Sequence, residues 1–457
     1  MLAKLGDRLN RIAYRFVPDP FVLAVTLTVA VVTAGLASTG FDLERVARAW
    51  IDGSGDGRGF WNFLAFGMQM CLILVTGHAL AASPPVDRLL GRLAALPRTP
   101  AGAISVVVLS AMTLSLINWG LGLIGGALLA RRVGVEASKH EIPVDYRVLV
   151  AGAYCSMLVW HAGLSGSAPT KVTLESDQVA LLGPELGAKI GAIPLSETIG
   201  APANLVVLIA LAALVPWLLH AAQRGQQATS SVNLPTDDGS APIDRAPPSD
   251  DSPAIRFGRS PVLKWSLVGF GLFAAVSWLG RRGLDRLDPD LINFVFLFVG
   301  IAAYRTLSDY AQAVSVATRG CAGIILQFPF YAGIAGLLDG LNLIEAATAR
   351  VVDLGAAALP AVAFYLAGAV NLVVPSGGGQ WGVQGPLFMQ AAIDAGVEPA
   401  RMVMALAYGD QWTNMLQPFW ALPLLATTGV RARDILGYTA LILIVSQLVF
   451  LAGLYFI

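Results

Sequence analysis

The chain has 457 residues, 56% hydrophobic and 13% charged, with a mean hydropathy of +0.66 and a formal net charge of zero. Soluble domains carry roughly 25% charged residues, so this composition excludes one and points to a polytopic membrane protein. The neutral balance gives no footprint for a nucleic-acid partner, and Cys71, Cys155 and Cys321, all in apolar runs, read as buried small hydrophobes rather than a disulfide or metal set.

Lys4, Arg8, Arg11 and Arg15 precede the first apolar run, Phe21–Ala37. The length of this basic segment and the many spans after it favour a retained first helix over a cleaved signal peptide. Phe60–Ala82 is the second span. Ala101–Ala130 is an apolar stretch interrupted by Asn118, Trp119 and Gly120. At about 1.5 Å per residue it is long for one helix and short for two crossings, so a re-entrant hairpin near 101–130 is expected. Arg147–His161 follows and decays into GLSGSAP, Gly163–Pro169; after a polar loop holding Glu175, Asp177 and Glu185, Ala201–His220 closes the first half. Residues 221–261 are rich in Pro, Ser, Asp and Gly and read as a disordered cytoplasmic linker. A connecting helix, 262–280, leads to Leu291–Tyr304, a span within Ala311–Leu338, a second hairpin near 355–395, Met402–Ala426 and Ile435–Ile457. The fold class expected is all-α and polytopic, with about nine full crossings and two re-entrant hairpins.

The two halves, residues 1–220 and 281–457, run in parallel. Asn118 and Asn371 each precede a hairpin break, 253 residues apart; Tyr154 and Tyr408, like Pro169 and Pro423, lie 254 apart. One extra span between the halves turns the second upside down, which makes an inverted-topology repeat of the kind found in secondary transporters. With the N-terminus cytoplasmic, 20 of the 30 Lys and Arg residues fall in inside segments, the sign that the positive-inside rule requires. The C-terminus is then expected outside, in the periplasm.

Polar residues at membrane depth carry the functional expectation. Asn371–Gly385 reads NLVVPSGGGQWGVQG between two apolar runs. Irregular backbone at that depth is tolerated only inside protein or around a wet cavity. Pro375 removes a donor, and Gly377, Gly378 and Gly379 let backbone N–H groups approach a ligand. Ser376, Gln380 and Trp381 supply a hydroxyl, an amide and a flat ring. The stretch is expected to be a hairpin tip holding a small solute, the alternative being a glycine-lined packing kink. Asp410, Thr413, Asn414 and Gln417 fall at i, i+3, i+4 and i+7, on one helix face. A carboxylate at mid-membrane costs ~3 kcal/mol on insertion scales, so this face is expected to meet substrate or coupling ion; a helix–helix hydrogen-bond seam is the plainer alternative. His161, Ser165 and Ser167 are the first-half counterpart, where Gly163 and Gly166 favour unwinding. His78 reads as a packing histidine. Trp119, Trp160, Trp381 and Trp412 suit either an apolar pocket wall or a membrane interface.

NLVVPSGGGQWGVQGP (Asn371–Pro386), SLINWGLGLIGG (Ser115–Gly126), WHAGLSGSAP (Trp160–Pro169) and YGDQWTNMLQPFWALP (Tyr408–Pro423) together resemble the short-chain fatty acid transporter family, within the wider ion-transporter superfamily. The resemblance covers nearly the whole chain. It implies uptake of acetoacetate, butyrate and similar monocarboxylates across the bacterial inner membrane. It also implies paired re-entrant hairpins, a scaffold with a moving transport domain, a homodimer and elevator-like motion.

A carboxylate suits hairpin tips, where helix N-termini and glycine N–H groups present partial positive charge, as at Gly377–Gly379 and Gly120–Gly126. No membrane-depth Arg or Lys is evident, so backbone amides, Asn118, Ser376, Gln380 and Asn414 carry recognition, with Trp119 and Trp381 against the alkyl tail. Each buried methylene is worth ~0.8 kcal/mol, so chain-length selectivity should be graded. Asp410, with Thr413 and Gln417, suggests cation-coupled symport; either a proton or sodium suits, and no organic cofactor is implied. Two other readings stand. The same architecture serves dicarboxylate or amino-acid carriers. The string Gly163-Leu164-Ser165-Gly166 near His161 matches an intramembrane serine protease motif, without a well-placed second histidine. No Walker lysine follows Gly377–Gly379, so ATP-driven pumping is unsupported.

Overall fold

The computed structural model describes residues 15, 20–53, 59–164, 166–175, 178–179, 184–223, 257–282, 289–343, 355–373 and 377–456. The main helices of the first half are α1 (Pro20–Ser38), α2 (Leu43–Asp52), α3 (Leu64–Ala81), α4 (Pro84–Ala94), α5 (Pro100–Ile117), α6 (Trp119–Lys139), α7 (Tyr146–Tyr154), α8 (Ser167–Lys171) and α9 (Pro202–Gln223). The rest are α10 (Pro261–Arg282), α11 (Pro289–Ala303), α12 (Leu307–Thr318), α13 (Ala322–Gly340), α14 (Leu359–Asn371), α15 (Gly377–Ala395), α16 (Pro399–Thr413), α17 (Leu422–Thr428) and α18 (Ala432–Leu454).

Local chemistry sets these starts. α1, α4, α5, α9, α10, α11 and α16 begin at proline, whose fixed φ suits the first helical position and whose missing N–H costs nothing there. Side chains cap others. Thr99 accepts from Gly102 N–H (3.1 Å), and Asp145 from Arg147 N–H (2.9 Å). Thr306 and Asp309 form a reciprocal capping box.

Among the described residues, six helical stretches are long and apolar enough to cross a bilayer, or up to eight if each bent pair is one crossing. This is a multi-pass membrane protein. Several of the nine expected crossings are short or broken. Leu291–Tyr304 is α11, 15 residues or about 22 Å long, and Met402–Ala426 is divided between α16 and α17. The first hairpin is longer than expected: α5 has 18 residues and α6 has 21, running to Lys139. Gly122 and Gly126 make that length possible. A Cβ on Gly122 would lie 2.5 Å from Ser115 Cβ, and one on Gly126 2.7 Å from Ala111 Cβ. These glycines bring two helix backbones together, as small residues four apart do in membranes. Residues 221–223 of the expected linker belong to α9, and α10 starts at Pro261; 224–256 lie outside the described residues.

Around the hairpins, α1 packs on α13 and α3 on α11, α2 on α13 and α12 on α3, while α9 and α18 lie against each other. The amphipathic α2 and α4 were not anticipated; both are short and punctuated by charge. The connecting helix α10 is fastened by Lys264, buried, with Nζ donating to the carbonyls of Tyr304 (2.6 Å) and Ala302 (3.3 Å) at the C-terminal end of α11. A cation there completes carbonyls that the helix leaves open. Lys264→Met is expected to lower stability by about 1–3 kcal/mol, read as a lower unfolding temperature in detergent.

Candidate functional site

Two broken helices cross at the centre of the molecule. α7 gives way at Tyr154 to 3-10 turns at Cys155–Leu158 and Trp160–Ala162, so the expected span Arg147–His161 is not one helix. Gly163 lets the chain turn there: a Cβ would lie 2.4 Å from the Leu116 carbonyl oxygen, and Leu164 N–H donates to that carbonyl at 2.7 Å. α16 stops at Thr413, and Pro418 keeps the following stretch open until α17. Tyr154 Oη donates to the carbonyls of Asn414 (2.8 Å) and Gln417 (2.7 Å), and Asn414 Nδ2 to the Met157 carbonyl (3.3 Å). Tyr408 Oη donates to Asn204 Oδ1 (2.8 Å), whose Nδ2 donates in turn to the Ala162 carbonyl (3.3 Å). The open backbone of each break is thus satisfied through the other half of the chain.

The second hairpin meets this crossing end-on. Gly377–Gly379 are not the loop expected from their composition but the first turn of α15, whose leading N–H groups have no intrahelical acceptor. Gly377 abuts the crossing so closely that a Cβ there would sit 2.4 Å from His161 Nε2 and 2.9 Å from the Trp160 ring. Between α15, α16 and the turn at His161 lies a narrow cavity of about 10 Å³, lined by His161, Ala168, Gly377, Gln380, Trp381, Gln384, Leu406, Ala407 and Asp410. That is close to the smallest volume that holds one water.

His161 and Asp410 are both almost fully buried, with Nε2 3.6 Å from Oδ2. Among the described residues, His161 Nδ1 and Nε2, Asp410 Oδ1, Gln380 Oε1, Trp381 Nε1 and Gln384 Nε2 have no hydrogen-bond partner. So many unmet polar atoms around one cavity are unusual, because each buried one costs about 1–3 kcal/mol. Among the described residues that line it there is no Lys or Arg.

The other sequence-derived candidates divide into three groups. Thr413, Asn414 and Gln417 lie in a seam against α14. Asn371 Nδ2 donates to the Asp410 carbonyl (2.8 Å), Thr413 Oγ1 (3.0 Å) and Asn414 Oδ1 (2.8 Å). Thr413 Oγ1 donates to the Gly368 carbonyl (2.9 Å), and Gln417 Nε2 to that of Leu372 (2.8 Å). Asn118, Trp119 and Gly120 sit at the turn of the first hairpin. Asn118 Oδ1 caps α6, accepting from Gly120 N–H (2.8 Å) and Leu121 N–H (3.3 Å). A ring series links that turn to the cavity, Trp119 to Trp420 (5.2 Å), Trp420 to Trp160 (6.0 Å) and Trp160 to His161 (3.7 Å). Gly378 is exposed, and Ser165 and Ser376 lie outside the described residues. The sequence reading missed Gln384, one helical turn after Gln380 and accepting from its Nε2 (2.9 Å), and Gln411, whose Oε1 accepts from His161 N–H (3.0 Å).

The short chain fatty acid transporter family matches residues 1–457. A curated relative from Escherichia coli (strain K12) is 34% identical over 455 residues, covering 99% of each chain. One from Haemophilus influenzae (strain ATCC 51907 / DSM 11121 / KW20 / Rd) is 32% identical over 458 residues, covering 100% of each. Both carry the short-chain fatty acid transporter name. Among solved structures, the Alcanivorax borkumensis YdaH transporter is similar at 16% identity and a TM-score of 0.42, over 96% of this chain and 97% of that one. The matching family is one of transporters and not of enzymes, which removes the protease reading of Gly163–Gly166. With its full length matched and its apolar helices in place, the chain belongs to the short-chain fatty acid transporter family.

Proposed function

We propose that this protein takes up short monocarboxylates such as butyrate and acetoacetate by cation symport, and that the cavity between α15, α16 and His161 is the transport site. The unmet polar atoms of His161, Asp410, Gln380, Trp381 and Gln384 around that cavity carry this reading. The leading N–H groups of α15 and the amide of Gln384 receive the carboxylate, and Trp381 and Leu406 meet the alkyl chain. A four-carbon acid does not fit about 10 Å³, so α15 withdraws from His161 and Asp410 to admit it and closes again for transit.

The inverted repeat supports an elevator-like motion of this kind. Its support is the reciprocity of the packing: α1 on α13 mirrors α11 on α3, α2 on α13 mirrors α12 on α3, and Tyr154 and Tyr408 each serve the opposite half's break. The protein works as a homodimer in the bacterial inner membrane, with the N-terminus cytoplasmic and the C-terminus periplasmic. The test is initial uptake of radiolabelled butyrate into proteoliposomes, with the rate into protein-free vesicles subtracted because the free acid crosses lipid unaided. Saturable uptake with graded inhibition by acetate, acetoacetate and hexanoate is expected, and Gln384→Leu should reduce it about tenfold, the loss of one or two hydrogen bonds. Accumulation of a dicarboxylate or an amino acid in place of butyrate would overturn the substrate.

A further inference from the structure

We infer that the coupling ion is a proton, shared in the closed site between Asp410 and the substrate carboxylate, so that one proton and one anion cross together without net charge. The inference rests on the monocarboxylate reading and adds the identity of the ion.

The charge balance of the cavity comes first. Among the described residues its lining holds one carboxylate, Asp410, one imidazole, His161, and no Lys or Arg. An anion entering this enclosure meets a like charge. Two like charges enclosed together away from water repel far more strongly than they do in bulk solvent. Paired carboxylates in such a place hold one proton between them. Asp410 Oδ1 is the atom without a hydrogen-bond partner and can take that proton. The donors beside it, Gln384 Nε2 and Trp381 Nε1, are equally unmatched and can hold the remaining carboxylate oxygens.

Five carbonyl oxygens at or beside the two helix breaks already accept hydrogen bonds. Sodium in broken-helix transporters is held by unwound carbonyls. Here the carbonyls of Asn414 and Gln417 accept from Tyr154, that of Met157 from Asn414, that of Leu372 from Gln417 and that of Ala162 from Asn204. Each break is closed by side chains of this chain. Among the described residues, the groups left open at the cavity are a carboxylate, an imidazole, two side-chain amides and an indole N–H, of which the carboxylate and the imidazole can carry a proton.

Among the described titratable side chains on elements packed against α16, His161 alone contacts Asp410. Lys171 on α8, Tyr365 on α14 and Tyr455 after α18 are exposed, and Asp394 on α15 is exposed and bonded to Gln390. Tyr438 on α18 donates to Asp145, Asp434 pairs with Arg431, Arg433 stands beside it at the start of α18, and the Cys155 thiol donates to the Ala151 carbonyl. Among the described residues, His161, with Nε2 3.6 Å from Oδ2, is therefore the base placed to pass a proton to Asp410 or take it away. The balance is simple. A hydronium ion on one side gives its proton to Asp410 and is left as water, the anion joins it, the site closes and reopens, and on the other side the anion leaves and the proton passes to water, restoring the Asp410 carboxylate.

The experiment uses the full chain in proteoliposomes and carrier-mediated initial rates of butyrate uptake, with protein-free vesicles subtracted. Three gradients are imposed separately: one pH unit, acid outside, equivalent to a tenfold driving ratio; tenfold sodium; and a membrane potential of either sign. The pH gradient is expected to raise the rate several-fold, and sodium and potential to leave it unchanged. Asp410→Asn should abolish the response to pH. His161→Gln should lower the pH-driven rate several-fold more than it lowers butyrate exchange, which moves no net proton. Drive by sodium, a rate set by potential, or a full pH response in Asp410→Asn each overturns the proton. The absence of any saturable butyrate signal in the wild type overturns the monocarboxylate reading and the proton with it.

Discussion

Alanine in place of Gly377 is expected to reduce butyrate uptake by about 10- to 100-fold while the protein still folds. The added methyl would lie 2.4 Å from His161 Nε2 and 2.9 Å from its Cε1 and from the Trp160 ring. Separations that short do not occur, so either α15 retreats or His161 swings off Asp410. Retreat of α15 opens the cavity permanently and lifts its N-terminal N–H groups away from the carboxylate. Rotation of His161 breaks the 3.6 Å contact with Asp410. Either outcome spoils the closed state and leaves the seam between α14 and α16, which Gly377 does not touch, intact. Gly91→Ala on α4, where an added Cβ meets nothing within 4 Å, is the control for a general effect of losing a glycine. Retained uptake in Gly377→Ala at wild-type rate would show that α15 and His161 need not meet in the transport cycle. A matching loss in Gly91→Ala would show that the assay reports yield rather than the site.

The same glycine shows what can be read from sequence. Three glycines after a proline signal close approach, and the approach is there. Composition cannot say whether the missing Cβ faces a solute, a helix or a histidine. At Gly122 and Gly126 it faces the neighbouring helix, at Gly163 a backbone carbonyl, and at Gly377 the imidazole. The break at Asn118 was legible because Asn before Trp-Gly is a ready cap, and the structure uses its side chain for that. Asp410 was legible because a lone carboxylate in an apolar run must have a use. The helical spacing of Asp410, Thr413, Asn414 and Gln417 identified a polar face but not what it meets, and α16 ends before the last two. Three of those residues look to α14 and one to the cavity, a division set by tertiary packing alone. Gln384 and Gln411 escaped notice because a glutamine in a helix carries no signal until the cavity around it is closed.

Asn371→Asp is expected to be among the most damaging single changes in the chain, costing about 3–5 kcal/mol and the assembly of the site with it. Asn371 is fully buried at the end of α14, and its amide nitrogen faces three acceptors: the Asp410 carbonyl, Thr413 Oγ1 and Asn414 Oδ1. Thr413 Oγ1 has already given its own hydrogen to the Gly368 carbonyl, so it can only accept from Asn371. A carboxylate at this point reverses the polarity of the junction. Oxygen would face oxygen at each contact, and a second negative charge would lie buried on the far side of the helix turn that carries Asp410. Asn371→Leu removes the donor without adding charge, leaving acceptors unpaired at about 1–3 kcal/mol each, some of which water can recover. The order expected in thermal unfolding followed by tryptophan fluorescence is therefore wild type, then Asn371→Leu, then Asn371→Asp, with uptake falling in the same order. If the aspartate variant matched the leucine variant in both measurements, the amide of Asn371 would not be the donor that joins α14 to α16. The carboxylate of Asp410 would then owe its position to His161 and the start of α15 rather than to this seam.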